Sequence, residues 1–469
     1  MNHRERSCIR PSVTLRQALV AGAVLLGLAA PAAAQQTAPP TPAPTPTPTP
    51  PRACTIPFGW WESKGLVPFF LDPNGASPTS DCDFQLWSWT AFAHWMQPDP
   101  TNNGAPMFLA LPTYNDLVPD KGAASTLQAA RALVHPRELM LLPRDNQPQS
   151  LGSFQQAGPK GVLVDQSGRS VYYTTHMDPI FFAFTQKYFG PNNYQKASPT
   201  LDYPIGATVL KSSWRIVQPG EDTSNVYTTT ATIALLESDG NGMLKLTGKT
   251  QSGVKVALVG VHVVGVIKDH PEFVWATYEQ LNNAPFLPPN MDPHSSDPVS
   301  AQNFTFYKGG TPANKSNLLP NPKTDPLSID PASQVISPVG NVFQEFEFGG
   351  ATPDSRVADI TSLNTNAQDH IKGGSPKVMD QVFANYRLIG SVWQLANTLK
   401  PGDGDMVADS IGSLSLDNST METFVQAADK NCFTCHNTAG GSSYPGKNIN
   451  LSHIISSVLH PNPKILQAR

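Results

Sequence analysis

Cys432-Phe433-Thr434-Cys435-His436 constrains this chain more than any other feature of its sequence. Two thiols two residues apart can each form a thioether to one of the two vinyl groups of a haem. The histidine directly after the second cysteine can then bring its imidazole under the iron as the proximal ligand. The spacing therefore predicts one covalently bound haem c, held by Cys432 and Cys435, with His436 as iron ligand. A redox Cys-x-x-Cys pair or half of a zinc site is the simpler alternative. Zinc needs two more ligands at suitable spacing and no second cysteine pair exists. A thioredoxin-like motif would sit early, near a βαβ pattern, whereas this one lies far along the chain.

The beginning of the chain fits that chemistry. Residues 1–34 look like a secretory signal, with Arg4, Arg6, Arg10 and Arg16 before an apolar run from Ala18 to Ala30. Ala32-Ala33-Ala34 offers a small-residue cleavage site before Gln35. The run is short for a membrane span, which needs about 20 apolar residues, and an uncleaved anchor is the alternative. No later segment suggests a span, so the mature chain is expected to lack one. Covalent attachment of haem c in bacteria takes place outside the cytoplasm, which points to export and a periplasmic address. Residues 35–52 follow as a Thr/Pro-rich linker, expected to be extended and disordered, serving as a stalk or as a mere spacer.

The rest divides into a large domain over 53–410 and a haem c-binding segment over 411–469 packed on it. With 36 acidic and 32 basic residues and no charge run, nucleic acid is not an expected partner. Only 14% of residues are charged, while 46 prolines and 34 glycines point to short elements joined by loops. Cys54 and Cys82 could close a disulfide in an oxidising compartment or stay as two thiols.

The expected fold is α+β: a loop-rich domain with a central antiparallel β region, then a short helical haem c segment. Phe84 to Met96 suits a helix with Trp87, Ala91 and Trp95 on one stripe, as core or as a haem wall. Ser213–Val217, Val226–Leu236, Met243–Leu246 and Val254–Val264 read as strands, with turn chemistry at 237–242. Residues 284–355 read as long loops. Apolar residues from Met379 to Trp393 recur at helical spacing and predict a helix over Lys377–Leu399. Ser419-Thr420-Met421-Glu422 fits a capping box that would start a short helix delivering Cys432. A further short apolar segment is expected from Leu451 to Leu459.

The sixth iron ligand is less determined. No methionine follows His436, so the upstream domain should cover much of the cofactor. His262, central in a strand-like run, is one distal candidate; a hydrogen-bonded core histidine is its alternative. His453, His460 and Met421 are others, and an open five-coordinate iron would change the function.

Leu416 to Thr423 running into Cys432–His436 resembles a group of large bacterial cytochrome c family proteins. So do Val259 to Val264 followed by Pro271 to Glu279, and the early Phe84 to Trp89. The resemblance implies one covalent haem c on a large domain, bound through Cys432, Cys435 and His436, and it gives weight to His262 by analogy. Two functions follow. One is an exported monohaem cytochrome passing electrons between a redox partner protein or a small donor and acceptor. The other is a haem c-dependent oxidoreductase or peroxidase with an open distal iron, where His262, Glu279 or His94 could move protons. Sequence alone favours the first, because no Ser-His-Asp elbow, His-Glu-x-x-His motif or phosphate loop accompanies the haem motif.

Overall fold

A computed structural model describes residues 54–56, 78–117, 139–141, 154–156, 161–373, 379–426, 431–441 and 444–456. The expected signal and the Thr/Pro linker, with His460, lie outside the described residues.

The chain is mixed α+β, built on an eight-stranded, mostly antiparallel sheet. Helix α1 runs Asp81–Trp95, strand β1 Tyr172–Met177 and helix α2 Pro179–Tyr188. The central strands are β2 (Thr208–Ile216), β3 (Thr228–Ser238), β4 (Leu244–Ile267) and β5 (His270–Gln280). Helix α3 (Asp354–Lys372), β6 (Tyr386–Gln394) and β7 (Ser410–Gly412) complete the frame. The main path of the sheet is β7-β6-β5-β4-β2-β1, while β3 pairs with β4 and, in parallel, with the short strand Leu139–Leu141.

The expected hairpin is present: β3 turns through Asp239–Met243 into β4, where the Asp239 carboxylate accepts the N–H groups of Asn241 and Met243. The two strands expected over 243–246 and 254–264 are one long strand, β4, whose outer half pairs with β3 and whose inner half pairs with β2 and β5. Residues 284–353 are mostly irregular, as expected, apart from 3-10 turns at Ala313–Lys315 and Glu347–Gly350 and a two-residue pairing of Ser328–Ile329 with Ile336–Ser337; α3 begins at Asp354.

Register decides which side chains share a face. Across β2, β4 and β5, Lys211 lies opposite His262 and His262 opposite Thr277; Val209, Val264 and Trp275 form the next row. Directly opposite residues share a face, and residues two apart along a strand share it too. The other face carries Val261, Val263, Ala276 and Tyr278, which join α1 in the larger core. There Phe92 stacks on Tyr278 at 4.2 Å, and Trp89 donates from Nε1 to Asn364 of α3 at 3.1 Å. Helix α1 is therefore enclosed by sheet on one side and α3 on the other. Phe84 to Ala93 are all buried, so the expected single stripe is instead a helix covered all round. Its aromatic side chains are core, whereas Cys432 and Phe433 pack in a separate cluster.

Helix α3 was not among the expected elements; Ile360, Leu363, Ala367 and Ile371 form its buried stripe. A disulfide joins Cys54 to Cys82 at the start of α1. Ser362 then donates to the Cys54 carbonyl at 2.8 Å, holding that segment on α3.

Among the described residues, two expected helices are absent. The stretch expected as a helix over Lys377–Leu399 is a 3-10 turn, Gln381–Asn385, followed by strand β6. Strand β6 lies between β5 and β7 and is buried on both faces, so apolar residues occupy it without a two-residue alternation. Such a run matches helical spacing by coincidence. The capping box expected at Ser419 starts no helix over the described residues: 419–426 are turns broken by a bend at Glu422. Asn418 plays the part given to Ser419, its side-chain oxygen accepting the Thr420 N–H at 2.9 Å, while Glu422 reaches back to the Asn418 N–H at 3.1 Å. Ser419 is turned away to Glu279, which accepts both its N–H and its hydroxyl at 2.6 Å. Polar partners on the sheet thus out-compete helix formation.

Candidate functional site

Asn431 opens a 3-10 turn over Cys432–Thr434, its side chain accepting the Phe433 N–H at 3.0 Å. The His436 N–H donates to the Cys432 carbonyl at 2.8 Å. Helical spacing of three and four residues puts Cys432, Cys435 and His436 on one side of that turn. Phe433 is fully buried in the second apolar cluster with Phe181, Tyr203, Phe273 and Trp275, and Cys432 packs against the same cluster. Cys432 is half-buried and Cys435 exposed.

His436 is held from several directions. Its Nδ1 lies 2.9 Å from the Leu451 carbonyl, which fixes the proton there and leaves Nε2 as the nitrogen available to a metal. The Trp275 ring sits 4.3 Å from it, inclined by 41°, and the His453 ring stacks on it at 4.0 Å. Burial first, then His453, push its pKa well below the usual histidine range; Lys211 and His262 act in the same direction from farther away. A neutral imidazole is the form that binds a metal. Burial also pushes the Cys432 thiol well up, with the charges of Glu422 and Asp417 adding to it.

These features fit a covalent haem: adjacent thiols, a neutral imidazole with one nitrogen tied to a carbonyl, and aromatic packing behind it. Zinc fits less well. A structural zinc site asks for four ligands, and no group of three His, Cys, Asp or Glu converges among the described residues.

The distal candidates each have partners of their own. His262 places Nε2 3.1 Å from both carboxylate oxygens of Glu422. His453 places Nε2 3.0 Å from the Cys435 carbonyl. A metal on an imidazole nitrogen lies in the ring plane about 2 Å away, so rings stacked face to face, as His436 and His453 are, cannot clasp one between them. Met421 is fully buried in a third cluster with Tyr173 and Val259. Among the proton-moving candidates, Glu279 is a fully buried clamp on Ser419, with its pKa raised by burial. His94 ends α1, edge-on to Trp95 at 4.7 Å, on the other side of the sheet.

What the structure does assemble is Lys211, His262 and Glu422. Lys211 Nζ lies 3.6 Å from Glu422, and the three side chains remain 17%, 15% and 20% exposed. Burial would raise the Glu422 carboxyl; His262, then Lys211, and the hydrogen bonds from His262 and the Asn418 N–H outweigh it and hold the pKa at about 2. This cluster shares a sheet face with Trp275, whose ring touches His436. Sequence reasoning named His262 and Glu422 for other roles and missed Lys211 and Trp275. The alternation Lys211, Ser213, Arg215 in β2 was the available signal, since period two sets those polar residues on one face.

A short loop carries Glu422 there. Asn418, Ser419 and Thr420 are fully buried against the sheet, with Asn418 donating to Thr277 Oγ1 at 2.9 Å. Gly260 makes room: a Cβ at that position would lie 2.6 Å from Thr420 Oγ1 and 2.7 Å from Ser213 Oγ.

No family model matches this chain, and neither a curated protein nor a solved structure matches it. Among the described residues no helix is long and apolar enough to cross a membrane.

Proposed function

We propose that this chain is an exported bacterial redox protein carrying one haem c, attached through Cys432 and Cys435 and ligated by His436. The observation that carries the reading is the His436 Nδ1–Leu451 carbonyl bond beside two thiols at haem-attachment spacing. Such a bond fixes the tautomer, orients the ring and strengthens the donor nitrogen. Trp275 and His453 keep that ring in place, and burial favours its neutral form. The bound haem supplies an iron that cycles between ferric and ferrous, with its potential set by the axial ligand, burial and nearby charge.

Sequence alone favours a carrier with two protein ligands. The geometry favours the other form, a haem c-dependent oxidoreductase or peroxidase whose distal position is open. His453 stacks on His436 with its Nε2 at a backbone carbonyl, Met421 is core, and His262 is tied through Nε2 to Glu422, so that Nδ1 is the nitrogen through which His262 could still reach an iron. A partner protein or small molecule then supplies or removes electrons.

Optical and EPR spectra of the purified ferric protein test this. A high-spin signal that changes on adding hydrogen peroxide is expected. A low-spin iron inert to peroxide would instead identify a carrier, and the absence of any haem band would overturn both forms.

A further inference from the structure

We propose that Lys211 and Thr175 form a binding site for a small monocarboxylate, of formate or acetate size, on the sheet face that carries the polar cluster. The site is built from the chain's own strands, so it goes beyond the redox reading and stands whether or not a haem is attached.

Register sets the two residues side by side. Thr175 of β1 lies opposite Lys211 of β2, Lys211 opposite His262 of β4, and His262 opposite Thr277 of β5. Directly opposite residues in an antiparallel pair have Cβ atoms about 4.5–5.5 Å apart. The four side chains therefore make one polar row across four strands. Two of them are satisfied there. His262 meets both Glu422 oxygens at 3.1 Å, and Thr277 accepts from the Asn418 side chain at 2.9 Å. The other two are not.

Thr175 is 5% exposed, and its hydroxyl, shut off from solvent, has no hydrogen-bond partner among the described residues. Buried hydroxyls are normally bonded, because leaving one unmet is costly. Lys211 beside it keeps 17% of its side chain exposed, which gives the row an opening. Among the described residues its ammonium stands 3.6 Å from Glu422 and 5.8 Å over the ring of Tyr173. Both contacts are electrostatic, and 3.6 Å is too long for a hydrogen bond. Neither gives the three N–H groups of the ammonium an acceptor.

An acceptor is therefore what the row lacks, and its protein neighbours are occupied. Glu422 is held by His262 and by the Asn418 N–H at 3.1 Å, while the Tyr173 hydroxyl donates to the Thr420 carbonyl at 2.8 Å. An ammonium next to a hydroxyl suits a carboxylate, one oxygen for each donor. The flanking rows limit its size: Val209, Val264 and Trp275 stand on one side and Tyr173 on the other. Glu422 limits its charge, since a second negative charge on the ligand would be repelled at this distance.

The test uses the full exported chain and sodium formate at constant ionic strength. Titration calorimetry should find one saturable formate site per chain, with sulfate binding more weakly. Thr175→Val should weaken formate about tenfold, and Lys211→Met by about tenfold or more. Lys211→Arg keeps the charge and the donors and should bind within a few-fold of wild type. Thr175→Val carries a second signature. Replacing an unmet buried hydroxyl by a methyl group should leave the melting temperature without formate equal to or above that of wild type. A hydroxyl with a structural role would lower it.

The inference is overturned by a chain without saturable formate binding, or by affinity unchanged in both Thr175→Val and Lys211→Met. A lower melting temperature in Thr175→Val overturns it too, and that variant decides alone if Lys211→Met does not fold. A chain that binds formate at this row but carries no haem would overturn the attachment reading and support this one; a chain with haem and no formate site would do the reverse.

Discussion

Glu422 and His176 give two residues whose charges report on the fold through pH. Glu422 sits far below its ordinary 4.5, at about 2, because His262, Lys211 and the Asn418 N–H outweigh the cost of burial. A carboxyl with a depressed pKa contributes stability above about 4.5 and loses it as pH falls toward 2. His176 in β1 is the second case: burial lowers its pKa from 6.5 to about 4. Its contribution is held above pH 6.5 and lost as pH falls through 4. Each amounts to roughly 3 kcal/mol, at 1.36 kcal/mol per pKa unit. Thermal melts from pH 7 to 2 should therefore show stability lost over two windows. His176→Leu should remove the loss between 6.5 and 4, and Glu422→Gln that between 4.5 and 2. Loss of stability that is unaltered in both variants would contradict these assignments. Neither role was legible from sequence. A histidine in an apolar strand gives no sign of its neighbours, and Glu422 three residues after Ser419 matches a capping box as well as it matches a sheet-facing anchor.

At the scale of elements, the decisive unit is the turn-rich loop from Asp417 to Gln426, which leads from the sheet toward Cys432–His436. Its hold depends on Gly260 in β4, where any Cβ would meet Thr420 and Ser213 below 3 Å. Gly260→Ala is expected to cost about 2 kcal/mol by overpacking and to lower the fraction of protein that carries haem, because the loop places both Glu422 and the approach to Cys432. Calorimetry and the ratio of haem absorbance to protein check this; an unchanged melting temperature would contradict it. The elements that sequence read well are those with local signals: α1, with no proline or glycine in its run, and the hairpin at Asp239–Met243. Those it missed depend on distant partners. Strand β6 is buried between two others, and the loop at Ser419 follows Glu279, which lies 140 residues away in sequence. The pattern of Cys432, Cys435 and His436 was legible because its spacing lies within five adjacent residues. Trp275 and the Leu451 carbonyl, which hold His436, are encoded only in the fold.

The described residues set α1 and α3 on one face of the large sheet and Cys432–His436, with the polar cluster, on the other. Cys54–Cys82 belongs to the helical side. Closing 28 residues of sequence separation should contribute about 3.5 kcal/mol in the chain-entropy account. Reduction should lower the melting temperature while leaving the haem spectrum in place, since the disulfide lies in the other core. Parallel loss of both would contradict that separation. The central claim is that Cys432 and Cys435 hold a haem covalently, and intact-protein mass spectrometry tests it most directly. The protein should be exported in a bacterium competent for cytochrome c maturation and then denatured. The account predicts a chain heavier by one haem, with neither Cys432 nor Cys435 reactive toward a thiol reagent. A chain of unmodified mass, with both thiols reactive, would contradict it.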